Sequence, residues 1–266
     1  MTGGMTIWLR QRVAGVNIRI RELVRRQLRK LIELALSDMD LVARFRDATT
    51  TAAFEEEHLK DATHFKDRIQ LYRWALSHVE ANRELFLEFG VYKGDSINCL
   101  AALHPNVTWH GFDSFVGLPE TWTLGAKAGA FSVEGEMPAI RENVRLIKGF
   151  FEDTLPDFVA KRSGQKIGVL HVDCDLYSST KTVLANVKDM LVPGSIIIFD
   201  ELINYHGWEE GEYKAFMEFV SEQNIAFEYL GYIRTSSQVA VRILDGAAAR
   251  AVPGDARRQS MASAPI

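Results

Sequence analysis

Two runs of residues carry the most specific chemistry in this chain. Glu88-Phe89-Gly90-Val91-Tyr92-Lys93-Gly94-Asp95 follows the apolar stretch Leu85-Phe86-Leu87, and Gly111-Phe112-Asp113-Ser114-Phe115 ends a second apolar stretch that begins at Val107. Gly90 and Gly94 stand where a buried strand must turn sharply into a helix, and glycine lets the backbone come close to a ligand there. Asp113 ends the next strand with a carboxylate. A glycine turn after one strand and an acid after the next is how a doubly wound α/β domain holds a nucleoside, the acid accepting hydrogen bonds from two ribose hydroxyls.

Acids recur after the later strands. Glu152 and Asp153 follow Gly149-Phe150, Asp173 and Asp175 follow Ile167–Val172, and Asp200 and Glu201 follow Ser195–Phe199. Ligands of a parallel sheet bind at the carboxyl ends of its strands, so these acids gather on one rim. Hard divalent cations take several converging carboxylate oxygens. One acid of Asp173-Cys174-Asp175 together with Asp200 and Glu201 would supply three, and a magnesium ion held there would bind a hydroxyl and lower its pKa. The alternative is that these acids cap the helices that follow them.

The elements that must position these groups alternate from residue 66 onward. Helices are expected over Asp67–Glu80 (with Ile69, Tyr72, Trp74, Ala75 and His78 inward), Asp95–Leu103, Ser179–Leu191 and Glu210–Glu222. Strands are expected over Leu85–Phe89, Val107–Phe112, Val144–Lys148, Ile167–Val172, Ser195–Phe199, Ala226–Ile233 and Gln238–Ile243, the last two as an antiparallel pair. The result is a mostly parallel α/β sheet with one reversed strand at an edge. The glycine-rich segment from Val116 to Pro138 is long enough to read as a functional lid. Upstream, residues 8–36 repeat apolar side chains at helical spacing opposite an arginine-rich face. Such a helix docks on its own domain, packs against another subunit or lies on a membrane surface. Thr49-Thr50-Thr51-Ala52-Ala53 reads as a joint. The domain organisation is therefore a basic helical extension over 1–60, an α/β domain over 61–244, and a disordered tail over 245–266.

Bulk properties narrow the classes. The chain has 266 residues, 47% of them hydrophobic and 25% charged, which suits one sizeable α/β domain plus an extension. A net charge of -4 argues against nucleic acid as a partner. The charge is uneven, because residues 1–30 hold eight Lys or Arg against one acid. Cys99 and Cys174 make neither a disulfide framework nor a CxxC motif, which fits a reducing, cytoplasmic setting. Arginines interrupt the N-terminal apolar residues, so no secretory leader is expected.

Four segments together resemble the macrocin O-methyltransferase family: Leu87-Glu88-Phe89-Gly90-Val91-Tyr92-Lys93-Gly94, Gly111-Phe112-Asp113-Ser114-Phe115-Val116-Gly117-Leu118-Pro119, Gly149-Phe150-Phe151-Glu152-Asp153-Thr154-Leu155-Pro156 and Asp173-Cys174-Asp175-Leu176-Tyr177. The resemblance covers about residues 66–243. It implies a class I, Rossmann-like methyltransferase with a seven-stranded, mostly parallel sheet, one antiparallel strand near an edge, and helices on both faces. It further implies S-adenosylmethionine as methyl donor, magnesium dependence, and a small-molecule acceptor bearing a sugar or natural-product hydroxyl. Carried over by position, Glu88 and Gly90 belong to the donor loop, Asp113 to the ribose, and Ser114 and Phe115 to the adenine or ribose. Asp173 and Asp200 match the metal ligands, and Glu201 stands where members of the family usually have a second aspartate. Asp173 would also help take the hydroxyl proton, and His206, close behind Asp200-Glu201, is a candidate base whose alternative is a structural ring.

Other readings are weaker. A nicotinamide-dependent dehydrogenase would need the three-glycine GxGxxG pattern, and Asp95 at the turn would repel a diphosphate. A non-catalytic scaffold of this fold, or a metal-dependent hydroxylase-like relative, would keep the sheet and use it differently. A homo-oligomer assembled through the N-terminal helix is expected. The acceptor stays open among sugar, polyketide, phenol and lipid-linked glycan.

Overall fold

A computed structural model describes residues 21–122 and 125–245 of the chain. The expected tail from residue 246 and residues 8–20 of the expected first helix lie outside the described residues. The chain divides into two compact units, residues 1–49 and 50–266. In the first, residues 21–37 form helix α1 and a second helix, α2, begins at Met39 and runs to His58. The expected joint at Thr49–Ala53 is instead continuous helix within α2, because threonines and alanines tolerate the helical backbone when no glycine or proline interrupts them. No described helix is long and apolar enough to cross a membrane.

The second unit is built on one eight-stranded sheet: β1 (Thr63–Phe65), β2 (Leu85–Phe89), β3 (Trp109–Asp113), β4 (Val144–Lys148), β5 (Ile167–Val172), β6 (Ile196–Phe199), β7 (Ala226–Ile233) and β8 (Val239–Leu244). Their order is β1-β7-β8-β6-β5-β2-β3-β4. The expected count of seven becomes eight because the short β1 adds in parallel to β7. The reversed strand is also not at the edge. β8 pairs antiparallel with β6 on one side and with β7 on the other, so it lies inside the sheet.

Side chains alternate across this sheet. Leu85, Leu87 and Phe89 of β2 enter one core with Leu170 and Val172 of β5. That face is covered by α5 (Phe151–Ala160), α6 (Tyr177–Val187) and α7 (Glu212–Glu222), which contribute Phe158, Val183 and Phe216 among others. Phe86 and Val169 face the other core, covered by α3 (Arg68–Ser77) and α4 (Asp95–Leu103). The inward side of α3 is Leu71, Tyr72 and Ala75, whereas Ile69 and Trp74, expected inward, are exposed. The side chain of Asp67 caps α3 by accepting from the Gln70 N–H at 3.0 Å. Helix α5 has no counterpart in the apolar periodicity, because Pro156 sits inside it.

The chain runs outward from β2 through β3 to β4, then returns to place β5 and β6 on the other side of β2. The point where direction changes lies between β2 and β5, and a ligand crevice belongs at the carboxyl ends there.

Phe112 of β3 stacks on Phe89 at 4.7 Å and meets Phe158 edge-on at 4.9 Å, fully buried behind that crevice. Phe112→Ala should cost about 3–5 kcal/mol of unfolding free energy in a urea titration. A loss below about 1 kcal/mol would mean that this aromatic layer does not support the strand ends.

Candidate functional site

The carboxyl ends of β2 to β6 frame a cavity of about 270 Å³. The loop after β2 gives it Gly90 and Tyr92. The end of β3 and the segment behind it give Asp113, Ser114, Gly117, Leu118, Pro119, Trp122 and Phe131. The turn after β4 and the start of α5 give Gly149, Phe150, Phe151 and Glu152, and the ends of β5 and β6 give Asp173, Cys174, Asp175 and Glu201. The glycine-rich segment after β3 thus forms part of the wall. Hydrogen bonds from Leu118 N–H to Ala130 O (2.9 Å) and from Gly129 N–H to Leu118 O (2.8 Å) fold it back on itself. That fold brings Phe131 edge-on to Tyr92 at 5.8 Å.

Asp113 does more than border the cavity. Its Oδ2 accepts the Val91 and Tyr92 N–H groups, both at 2.8 Å, and its Oδ1 accepts the Phe115 N–H at 2.6 Å. A carboxylate offers about four acceptor sites. Three backbone donors leave about one for a bound hydroxyl, where the sequence reading assigns it two. The side chain therefore clips the glycine loop of β2 to the end of β3. Ser114 also borders the cavity, but its hydroxyl donates to Gly117 O at 3.1 Å and accepts from Val116 N–H at 3.2 Å, closing the turn. Phe115 is fully buried in the core and does not line the cavity. Gly94, with φ near +84°, starts α4 and likewise lies off the cavity wall.

Glu88 is buried and turned away from the cavity. It pairs in register with His171 on the neighbouring strand β5. Its Oε1 accepts the Ser96 hydroxyl at 3.0 Å and its Oε2 lies 3.0 Å from His171 Nδ1. His171 Nε2 in turn lies 3.2 Å from the Tyr72 hydroxyl. With Nδ1–H donated to Glu88, Nε2 accepts from Tyr72, so the ring is held at both nitrogens in a dry interior. Burial pushes the Glu88 carboxyl up, while the bonds from His171 and Ser96 pull it back down.

The acids fall into two groups that share Asp173. Ligand atoms of Asp173, Asp175 and Glu201 lie within 4.8 Å of one another, as do those of His171, Asp173 and Asp200. Asp200 Oδ1 also accepts from Gln238 Nε2 at 2.8 Å. Behind both groups lies Glu212 at the start of α7, fully buried, whose two oxygens accept the Cys174 N–H at 3.4 Å and the Glu201 N–H at 3.3 Å. Nothing in the sequence singles Glu212 out, since an acid in the first turn of a helix is ordinary. Burial first, then the charges of Asp200, Glu88, Asp175 and Glu212, push the Asp173 carboxyl well up. Burial followed by Asp200 and Asp113 raises Asp175 to about 7. Glu201 is raised well above its ordinary value by burial and then by Asp173, and its Oε2 is buried with no hydrogen-bond partner among the described residues. Oxygen donors crowded together, with one left unsatisfied, fit a hard divalent cation.

His206, the candidate base, is exposed and lies outside the cavity wall. Trp208 packs against Phe54 and Tyr213, and the Tyr177 hydroxyl donates to Glu218 at 2.6 Å, so neither ring forms part of the wall. Both cysteines are free thiols. The wall residues Trp122 and Phe131 are not individually marked by the sequence, although the glycine-rich segment that carries them is.

The raised carboxyls make stability depend on pH and on cations. A carboxyl whose folded pKa lies above its unfolded value holds protons more tightly when folded, so its contribution is lost as pH rises through the folded value. Without divalent cation, Tm should therefore fall as pH rises from about 4, the ordinary unfolded value, to about 7, the folded value of Asp175, and magnesium should remove most of that fall. A Tm that is flat with pH in both conditions would contradict the crowding of these charges.

Residues 87–202 match a family model described as a methyltransferase domain. The chain is 30% identical over 144 residues to 8-demethyl-8-(2,3-dimethoxy-alpha-L-rhamnosyl)-tetracenomycin-C 4'-O-methyltransferase of Streptomyces olivaceus, an alignment covering 43% of this chain and 51% of that protein. The chain thus spans about half the length of the curated relative it matches. Among solved structures, the calicheamicin methyltransferase CalS11 superposes with a TM-score of 0.53 at 26% identity, over 65% of this chain and 76% of that one. The O-methyltransferase NovP superposes with a TM-score of 0.50 at 23% identity, over 67% and 80%. The fold is the Rossmann-like methyltransferase fold, with a mixed, mostly parallel sheet and helices on both faces.

Proposed function

We propose that this chain is an S-adenosylmethionine-dependent O-methyltransferase that acts, with magnesium, on a hydroxyl of a sugar-bearing natural product, as the macrocin family does. The observation that carries the reading is the cavity at the strand ends, which joins a glycine loop clipped by Asp113 to the carboxylates Asp173, Asp175 and Glu201. The sugar acceptor is supported by the Streptomyces olivaceus relative, a 4'-O-methyltransferase of a dimethoxyrhamnosyl tetracenomycin.

S-adenosylmethionine bound in the cavity would supply a methyl group already activated on a sulfonium, with S-adenosylhomocysteine as the leaving group. The protein's contribution is then positioning, exclusion of water and removal of one proton. The loop at Gly90 and the remaining acceptor site on Asp113 hold the nucleoside part. Trp122, mostly buried in the cavity wall, shields the reacting atoms from water, and the more exposed Tyr92 and Phe131 border the same cavity. Asp173 belongs to both groups, and it would hold the cation with Asp200 from one group and Glu201 from the other. A magnesium ion held there would supply Lewis acidity to the acceptor hydroxyl. Asp175 borders the cavity close to both Asp113 and Asp200 and takes the hydroxyl proton. The buried relay of Glu88, His171 and Tyr72 fixes the face of the sheet against which Asp173 and Asp200 stand.

Transfer of a labelled methyl group to a panel of rhamnosylated aromatic acceptors tests the reading. Asp175→Asn should lower kcat by roughly 10²–10⁴ with little change in affinity for S-adenosylhomocysteine. An unchanged kcat would remove Asp175 as the base, and no transfer to any hydroxyl acceptor would remove the activity. Asp113→Ala should weaken S-adenosylhomocysteine binding, since the loop loses its clip together with a charged acceptor. Unchanged affinity would show that the cofactor sits elsewhere.

A further inference from the structure

Helix α1, in the first compact unit, carries a feature that the catalytic reading does not use. Its side chains Leu23, Val24, Leu28, Leu31, Ile32, Leu34 and Leu36 are between 50% and 69% exposed. At about 3.6 residues per turn, Val24, Leu28, Leu31 and Ala35 share one face, widened by Leu23 and Leu34 on one side and Ile32 on the other. Arg21 and Arg25 border one edge of that face. Lys30 and Arg26 follow its other edge. The two acids, Glu22 and Glu33, lie diametrically opposite, in the middle of the polar side.

We propose that residues 21–37 form an interfacial anchor that lays this apolar face into an anionic lipid surface. Charge placement selects this occupant over a second copy of the chain. Two such helices packed face to face would bring cationic edges against cationic edges, whereas helix pairs that associate in water match opposite charges along those edges. At a bilayer the same edges meet phosphate groups, the long basic side chains reach up from the apolar boundary to the headgroups, and the acids point to water. The helix lies along the surface, since no described helix is long and apolar enough to cross a membrane.

Co-sedimentation of the full-length chain with vesicles tests this. Vesicles of phosphatidylcholine containing phosphatidylglycerol should carry the protein down, and vesicles of phosphatidylcholine alone should not. Raising the salt should release it. Arg21→Gln combined with Arg25→Gln should weaken binding about 25-fold, two charges at about fivefold each. Leu28→Asp combined with Leu31→Asp should abolish binding while leaving the circular-dichroism melt unchanged, because both side chains are exposed. Absence of binding to anionic vesicles overturns the proposal, and so does equal binding to both vesicle types. A leucine variant that lowers the solution mass by light scattering, in a protein that ignores vesicles, assigns the face to a second copy instead.

Discussion

The site depends on how closely the ends of two neighbouring strands approach. Gly90 sits where β2 ends beside β5, with φ near +91°, and a Cβ built on it would lie 1.6 Å from the carbonyl oxygen of Asp173. The ladder runs to the very tips: Asp173 N–H donates to Phe89 O at 2.8 Å, and Gly90 N–H donates to Phe112 O at 3.0 Å. Any side chain at position 90 would wedge β2 from β5 at the point where the sheet changes direction. Because the backbones can touch there, the glycine loop, Asp113 and Asp173 come to one cavity although they stand on three strands. Asp113 completes the arrangement by accepting from the two N–H groups that follow Gly90.

The second organising fact is a crowd of acidic side chains on one rim, Glu212 fully buried and Asp173, Asp175 and Glu201 partly so. The charge of Asp200 raises the proton affinity of Asp173, Asp175, Glu201 and Glu212, Asp175 raises that of the other three, and the strongest charges acting on Asp173 are all acidic. A folded chain keeps such a cluster only if protons or a cation neutralise it, since an unpaired buried charge is expensive. Glu212 lowers part of that expense by accepting two backbone N–H groups at the turns behind Asp173 and Asp200. On the opposite face of the sheet, Glu88 is satisfied differently, by Ser96 and His171.

How far this was legible in the sequence follows from the kind of signal each residue leaves. The bounds of β2 and β5, buried along their whole length, coincide with their largely apolar runs. Those of the edge strand β4 were legible from Val144, Leu146 and Ile147 alone, since Arg145 and Lys148 are exposed. β1 is missed, since three residues including a histidine carry no such run. The inward face of α3 was displaced by about one position, because Trp74 and Ile69 satisfy a helical period as well as Leu71 does. The rim of acids was visible because strand ends are predictable, so Asp173, Asp200 and Glu201 could be named. How they divide between two groups depends on side-chain direction, which spacing does not encode. Glu88 and His206 show the limit most clearly. One follows the donor-loop pattern yet faces a buried histidine, and the other follows Asp200-Glu201 closely in sequence yet stands on the surface.

Calorimetric titration of the wild-type chain with S-adenosylhomocysteine, with NAD as control, tests the central claim that the crevice between β2 and β5 is a methyl-donor site. The account predicts saturable binding of S-adenosylhomocysteine at one site per chain, and no heat from NAD. Absence of S-adenosylhomocysteine binding, in a protein whose melt shows that it is folded, would contradict it.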